Sequence, residues 1–173
     1  MLSDNLHKSG KRLVETLQRR GWHVTCAESC TGGLLAACLT SVPGASVVFD
    51  RGFVTYHNDA KVEMLGVDID LLKTHGAVSA PVALAMATGA LKAAKADLAL
   101  AITGIAGPGG GTTEKPVGLV HIAAARRKGK AVETRQIEEV FPGNRDQIRL
   151  STVEAALKLG IEMTQDDILS DNG

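Results

Sequence analysis

The stretch AITGIAGPGGGTTEKP, residues 101–116, is a glycine-rich loop between two apolar runs. The run before it, Leu98 to Ile102, predicts a buried strand, and the run after it, Val117 to Ala125, predicts another. Glycines let backbone N–H groups approach a ligand closely, and they tolerate positive φ. The stretch therefore predicts two strands that are joined either by a ligand-binding loop or by a plain connection.

The overall composition predicts one globular domain over residues 1–173. Apolar residues make up 45% of the chain and charged residues 22%. Lys and Arg together number 19, as do Asp and Glu, and aromatic residues make up only 3%. A nucleic-acid surface would need basic patches and stacking aromatics, and no apolar run reaches membrane-spanning length. We therefore expect neither nucleic acid nor a membrane as a partner.

The cysteines and histidines predict a reducing compartment and no metal site. Cys26, Cys30 and Cys38 are odd in number, and the N-terminus has no secretory apolar core. We therefore expect free thiols and a cytoplasmic location. The histidines are scattered and there is no CxxC pair, so we predict no bound metal.

Helix-like and strand-like patterns alternate along the chain. We predict an α/β fold, a three-layer sandwich in which helices flank a mixed β-sheet. The acidic tail, residues 164–173, is expected to fray. The expected helices are 4–20, 34–40, 58–65, 68–75, 81–96 and 145–163, and the expected strands are 22–27, 47–56 (broken at 50–52), 98–103, 117–125 and 131–141.

Two polar turns follow predicted strands at their carboxyl ends. The first is Glu28 to Gly33, which leads into a helix, and the second begins at Thr103 and Gly104. Open α/β sheets bind ligands at this edge, and N–H groups at the start of a helix favour anions. Ser29 or Thr31 could instead simply cap the helix.

The glycine-rich loop does not match the common nucleotide-binding patterns. Gly104 and Gly109 have the spacing of a Walker A loop, but Gly110 stands where a lysine is required. A dinucleotide fingerprint would need a glycine at Thr112, and the loop leads into a strand. Neither nucleotide-binding fold is therefore indicated.

Four short motifs occur together in a fixed order, and their combination is far more specific than any one of them. They are AESCTGG (27–33), PGAS (43–46) running into GFVTY (52–56), NDAK (58–61) and TGIAGPGG (103–110). In this combination the chain resembles the CinA C-terminal domain family, and within it the stand-alone nicotinamide-nucleotide amidohydrolases. The resemblance extends from about Asn5 to Leu159.

The resemblance implies hydrolysis of the carboxamide of nicotinamide mononucleotide to nicotinate mononucleotide and ammonia, in NAD recycling. It implies a serine–lysine dyad, expected at Ser46 and Lys61 with Tyr56 beside them, and no metal or cofactor. Ser29 stays open as an alternative nucleophile because it lies in another motif of the same site. A homodimer is also expected, partly from the Ala-rich helix that begins at Pro81.

Such a mechanism needs a neutral lysine as the base. Burial or nearby positive charge would have to lower the lysine pKa from its usual ~10.4. Lys61 precedes Met64 and Leu65 on a predicted helix, so it is placed near an apolar face. Backbone N–H groups, expected in the loop from Pro43 to Ser46, would stabilise the oxyanion.

The substrate itself carries a phosphate, a ribose and a cationic ring. Glycine and helix N–H groups at Thr31, Gly32 and Gly33, or at Thr103 and Gly104, are the expected phosphate ligands. Arg145 is expected to pair with the phosphate as a fork, and Glu28 to face the ring or the ribose. Ser29 is placed among these binding residues when it is not the nucleophile.

Two other functions compete with the amidohydrolase. A nucleotide-binding or regulatory module without turnover would use the same glycine loops. A pyrophosphatase acting on dinucleotides would need clustered carboxylates for a metal, and no such cluster is evident in the sequence.

Overall fold

The structure is a computed structural model that describes residues 3–165. Five strands form one sheet in the order β2-β1-β3-β4-β5. The strands are β1 (Val24–Glu28), β2 (Phe49–Val54), β3 (Leu98–Gly104), β4 (Leu119–Lys128) and β5 (Ala131–Val140). The neighbours β2, β1 and β3 are parallel, whereas β4 runs antiparallel to both β3 and β5. The predicted mixed sheet is confirmed.

Six α-helices cover the two faces of this sheet within the described residues. They are α1 (Asp4–Arg20), α2 (Leu34–Thr40), α3 (Asn58–Leu65), α4 (Ile69–His75), α5 (Ala80–Ala94) and α6 (Arg145–Gln165). A short 3-10 turn, Ala45–Val47, precedes β2. None of these helices combines the length and apolarity needed to cross a membrane. Residues 166–173 of the predicted fraying tail lie outside the described residues, and Thr164 and Gln165 are still helical.

Alternation along β3 divides the core into two parts. Leu98, Leu100 and Ile102 pack toward α1, α2 and α6, whereas Ala99 and Ala101 pack toward α5. Half of the residues that α5 buries are alanines, and the helix approaches its neighbours closely, as its sequence predicts. This gives the three-layer sandwich that the alternating pattern predicts.

The strand β2 is irregular at its centre, where the sequence predicts a break. It is one strand from Phe49 to Val54, but its register against β1 shifts between Phe49 and Gly52, so Asp50 and Arg51 lie at a bulge. A side chain at Gly52 would place its Cβ only 2.8 Å from Cys26 Sγ on β1. The glycine therefore permits close packing of the two strands directly after the bulge.

The parallel strands also decide where polar side chains meet. β2, β1 and β3 all end at the same edge of the sheet, because they run in one direction. Ser29 follows β1 at this edge, Thr55 and Tyr56 follow β2, and Gly104 ends β3. The candidate site lies here, at the edge that open α/β sheets use for ligands.

Candidate active site

Lys61 and Ser29 form a hydrogen-bonded pair at the carboxyl edge of the sheet. Lys61 Nζ lies 3.2 Å from Ser29 Oγ and donates to the Thr55 carbonyl at 2.8 Å. The helix α3 carries the lysine, and the His57 side chain caps this helix by accepting from the Asp59 N–H. The lysine is 1% exposed, so the amine is enclosed by protein.

Burial changes the protonation of this lysine. It lowers the pKa of Lys61 below the usual 10.5, because the charged ammonium loses its water, while the nearby Cys30 acts weakly in the opposite direction. A lowered pKa increases the neutral fraction of the amine. The pKa of Lys61 is thus shifted in the direction that a base for Ser29 would require.

Ser46 lies at the other end of the sheet. It is exposed on the 3-10 turn Ala45–Val47, just before β2. The adjacent Val48 carbonyl accepts from the N–H of Val24, the first residue of β1. The strand β1 separates this end from Ser29, with about 3.3 Å for each residue. The structure thus brings Ser29 to Lys61, and it does not bring Ser46 there.

Glu28 caps a helix and is closed to solvent. Its carboxylate accepts from the N–H groups of Gly33, Leu35 and Ala36 at 3.2, 3.0 and 2.9 Å. It is 0% exposed, so it does not face a substrate ring or ribose as predicted. The physical reason is the start of α2, whose free N–H groups attract the carboxylate.

The turn after Ser29 also uses its own glycine N–H groups internally. Gly32 donates to the Ser29 carbonyl at 3.0 Å, and Gly33 donates to Glu28. Thr31 is buried, and its Oγ1 has no hydrogen-bond partner within the described part of the chain. Of the predicted phosphate cradle, the N–H groups of Gly32 and Gly33 are therefore occupied within the turn, whereas the Thr31 hydroxyl is not.

Thr103 and Gly104 hold the end of β3. The Thr103 hydroxyl donates to the Ala77 carbonyl at 2.8 Å, and Thr103 is buried. A Cβ at Gly104 would lie 2.8 Å from the Leu119 carbonyl oxygen of β4. The two residues thus form contacts inside the fold beside the site.

Arg145 connects the end of β2 with the glycine-rich loop. Its guanidinium donates to Tyr56 Oη at 2.8 Å and to the Gly107 carbonyl at 2.6 Å. Tyr56 is 60% exposed at the end of β2, and Gly107 belongs to the glycine-rich loop. One arginine at the start of α6 therefore joins the ends of β2 and β3 beside the Ser29–Lys61 pair.

Cys30 follows Ser29, but its thiol has low reactivity. Burial raises the pKa of its thiol to about 11, outweighing the smaller opposing effects of Arg145 and Arg149. The thiol is therefore protonated at neutral pH and is a poor nucleophile. The hydroxyl of Ser29 is the group that faces the amine.

The chain is similar to known proteins over most of its length. Residues 6–164 match the pattern described as the CinA C-terminal domain. The chain belongs to the CinA C-terminal domain family. Its relative in Escherichia coli K12, named nicotinamide-nucleotide amidohydrolase PncC, is 48% identical over 91% of this chain and 94% of that protein.

Longer proteins of the family contain the same domain. A CinA-like protein of Syntrophobacter fumaroxidans is 54% identical over 91% of this chain, but the chain spans only 36% of that protein. Among solved structures, competence/damage inducible protein CihA of Agrobacterium tumefaciens is 48% identical, with a TM-score of 0.90 over 95% of this chain and 99% of that one. A CinA superfamily protein of Klebsiella pneumoniae is 37% identical, with a TM-score of 0.85 over 93% and 98%.

Sequence reasoning missed Arg149 and ranked the serines incorrectly for contact with the lysine. Arg149 on α6 donates to the Thr31 carbonyl at 2.9 Å. A signal for Ser29 was present, because Ser29 and Tyr56 both follow strands, whereas Ser46 precedes one. For Arg149 no local signal exists, since its partner lies 118 positions earlier in the chain.

The described residues, 3–165, contain no group of three or more His, Cys, Asp or Glu side chains that could hold a metal ion. The clustered carboxylates that a metal-dependent pyrophosphatase requires are thus not found in that range.

Proposed function

We propose that this protein hydrolyses the carboxamide of nicotinamide mononucleotide, releasing ammonia and nicotinate mononucleotide. The observation that carries the proposal is the pair of Ser29 and buried Lys61, 3.2 Å apart. The pair lies in a chain that aligns with nearly the full length of a named nicotinamide-nucleotide amidohydrolase. Serine attack on an amide needs an adjacent base, and the neutral lysine supplies it.

In the proposed first step, neutral Lys61 accepts the proton of Ser29 Oγ as the oxygen attacks the carboxamide carbon. The carbon–nitrogen bond then breaks, and the Lys61 ammonium returns the proton to the departing nitrogen, which leaves as ammonia. Water hydrolyses the resulting ester on Ser29, and Lys61 again accepts and returns a proton. The Thr55 carbonyl holds Lys61 Nζ in place through these steps.

The negative oxygen of the intermediate needs donors close to Ser29. The N–H groups of Cys30 and Thr31 directly follow Ser29, and neither donates to a backbone carbonyl in the described range. We assign these N–H groups as the oxyanion donors, in place of the loop from Pro43 to Ser46. Oxyanion donors of this kind contribute about 10²- to 10³-fold to the rate.

Arg145 and Tyr56 form the proposed binding edge for the rest of the substrate. The Arg145 guanidinium now donates to two neutral oxygens, those of Tyr56 and Gly107. A phosphate would replace these acceptors with charged ones, which form stronger hydrogen bonds. Thr103 and Gly104 support this edge from β3, and Tyr56 can relay a proton to the leaving group.

An assay of ammonia release from nicotinamide mononucleotide, with no added metal, tests this proposal. We expect turnover of the mononucleotide and much weaker turnover of nicotinamide riboside, which lacks the phosphate that Arg145 would bind. Tight binding of the mononucleotide without ammonia release would contradict catalysis and would favour a nucleotide-binding module. The cytoplasmic location and the homodimer stay predictions that accompany this proposal.

A further inference from the structure

Two side chains of opposite charge bind the backbone of the segment from Thr31 to Ala36, which contains the turn after Ser29 and the start of α2. From one side, the Glu28 carboxylate accepts from the N–H groups of Gly33, Leu35 and Ala36. From the other side, the Arg149 guanidinium donates to the Thr31 carbonyl at 2.9 Å. The N–H groups and the carbonyl of one short segment are thus bound by separate elements, β1 and α6.

The Glu28 contact is strong and rigid. A buried carboxylate is costly unless hydrogen bonds compensate it, and here three N–H groups at the start of a helix do so. The residue is also next to Ser29 in the chain. Any movement of its carboxylate would therefore shift the serine directly.

Within the described residues, the hydrogen bond to Thr31 leaves another donor of the Arg149 guanidinium unpaired. Its Nε is buried without an acceptor among residues 3–165, and its Nη1 lies 3.6 Å from the Asp146 carboxylate. Buried donors are normally paired. An arginine that leaves one donor unpaired while reaching the Thr31 carbonyl is better explained by what it does for the turn.

We propose that Glu28 and Arg149 are positioning residues for catalysis, acting through the turn from Ser29 to Gly33. They fix Ser29 Oγ toward Lys61 Nζ and hold the N–H groups of Cys30 and Thr31 toward the reacting carbonyl. The inference rests on the proposed function, because it needs Ser29 as the nucleophile. It predicts a loss of turnover rather than of substrate affinity.

The substitution Arg149→Met tests the positioning role of Arg149, and Lys158→Met on the same helix is the matched control. Lys158 is exposed, and within residues 3–165 its ion-pair partner is Glu154 on the same helix. We expect Arg149→Met to lower kcat about 10- to 100-fold, the scale of a misplaced catalytic group, while KM stays within about twofold. Arg149→Lys retains one donor for the Thr31 carbonyl and should recover part of kcat.

Three further readouts separate positioning from general folding and from the proposed function. The melting temperature should stay within about 5 °C of wild type, a small change for a domain of this size. The pH dependence of kcat/KM should keep its midpoint, since Lys61 keeps its surroundings. The rate at which a fluorophosphonate probe modifies Ser29 should fall in parallel with kcat.

The possible outcomes distinguish failure of the proposed function from failure of the positioning role. If wild type neither releases ammonia nor reacts with the probe at Ser29, the proposed function fails. If wild type does both and Arg149→Met matches it, the positioning role is overturned. A rise of KM at unchanged kcat would also overturn it and would make Arg149 a substrate ligand. Glu28→Gln, compared with the exposed Glu63→Gln, should repeat the loss of kcat where it folds.

Discussion

Lys61 is nearly fully buried, and among residues 3–165 its amine hydrogen-bonds to two oxygens, Ser29 Oγ and the Thr55 carbonyl. No carboxylate pairs with its amine among residues 3–165, so hydrogen bonds to two neutral oxygens are left to offset the cost of burying the charge. Burial therefore governs its pKa, which lies below 10.5. The chemistry proposed for the site follows from this one residue.

The activity should rise with pH through the lowered pKa of Lys61, because only the neutral amine can accept the Ser29 proton. Above that pKa the rate should level off until another group intervenes. The measurement is kcat/KM for nicotinamide mononucleotide across pH, which reports the free enzyme. A profile that falls over the same range would contradict the role of Lys61 as the base.

The same pKa shift predicts a pH dependence of stability. Between the lowered pKa and 10.5, the unfolded chain binds more protons than the folded chain, so the free energy of unfolding rises with pH in that window. Below both pKa values the penalty for burying the amine is fully present. Lys61→Met keeps the volume and removes the amine, so it should remove this rise.

At neutral pH, Lys61→Met should also be more stable than wild type while lacking activity. Each ~1 kcal/mol of relieved burial would raise Tm by about 2–4 °C. Thermal unfolding at several pH values measures both effects, and Lys73→Met, an exposed lysine of α4, is the control. An inactive variant that is less stable than wild type at every pH would show that Lys61 stabilises the fold.

Among the helices and strands, α3 must be held at a fixed distance from β1 for Lys61 to reach Ser29. The helix α5 provides this support, because Gly89 of α5 lies against the Leu65 carbonyl at the end of α3. A Cβ at Gly89 would lie 2.0 Å from that oxygen. Only glycine permits this approach at position 89.

Gly89→Ala should therefore displace α3 and lower both stability and activity. Overpacking of this kind costs about 1–3 kcal/mol of unfolding free energy. Urea unfolding and kcat are the measurements, and Gly109→Ala, whose Cβ would meet nothing within 4 Å, is the control. If Gly89→Ala keeps full stability and full kcat, the contact between α5 and α3 does not position the lysine.

For the whole molecule, the parallel order β2-β1-β3 assembles the site from parts that are distant in sequence. Ser29 comes from the end of β1, Lys61 from beyond β2, and Arg145 from the start of α6.

The predicted homodimer also concerns the whole molecule. Light scattering should give twice the mass of one chain, and the mass of one chain would contradict the dimer.

The fold could be predicted because its elements carry strong local patterns. The apolar run of β3 and the alanine-rich α5 each indicate their structure without reference to the rest of the chain. The partners of individual side chains could not be predicted in this way. Whether Lys61 meets Ser29 or Ser46 depends on the direction of β2 beside β1, which is a property of the assembled sheet.

Glu28 illustrates the same limit. A glutamate in a polar turn is expected at the surface, but the start of α2 places three N–H groups around it. Those hydrogen bonds allow the Glu28 carboxylate to be buried, and no spacing in the sequence indicates them. Arg149 is similar, since its partner Thr31 becomes a neighbour only when α6 packs against α2.

The chemistry proposed for this site depends on Ser29 being the nucleophile that Lys61 activates. Ammonia release from nicotinamide mononucleotide by Ser29→Ala and Ser46→Ala, compared with wild type, tests it most directly. We predict that Ser29→Ala loses at least about 10³-fold in kcat, as removal of a catalytic nucleophile does, and that Ser46→Ala stays within about threefold of wild type. Full activity in Ser29→Ala with loss in Ser46→Ala would contradict the account.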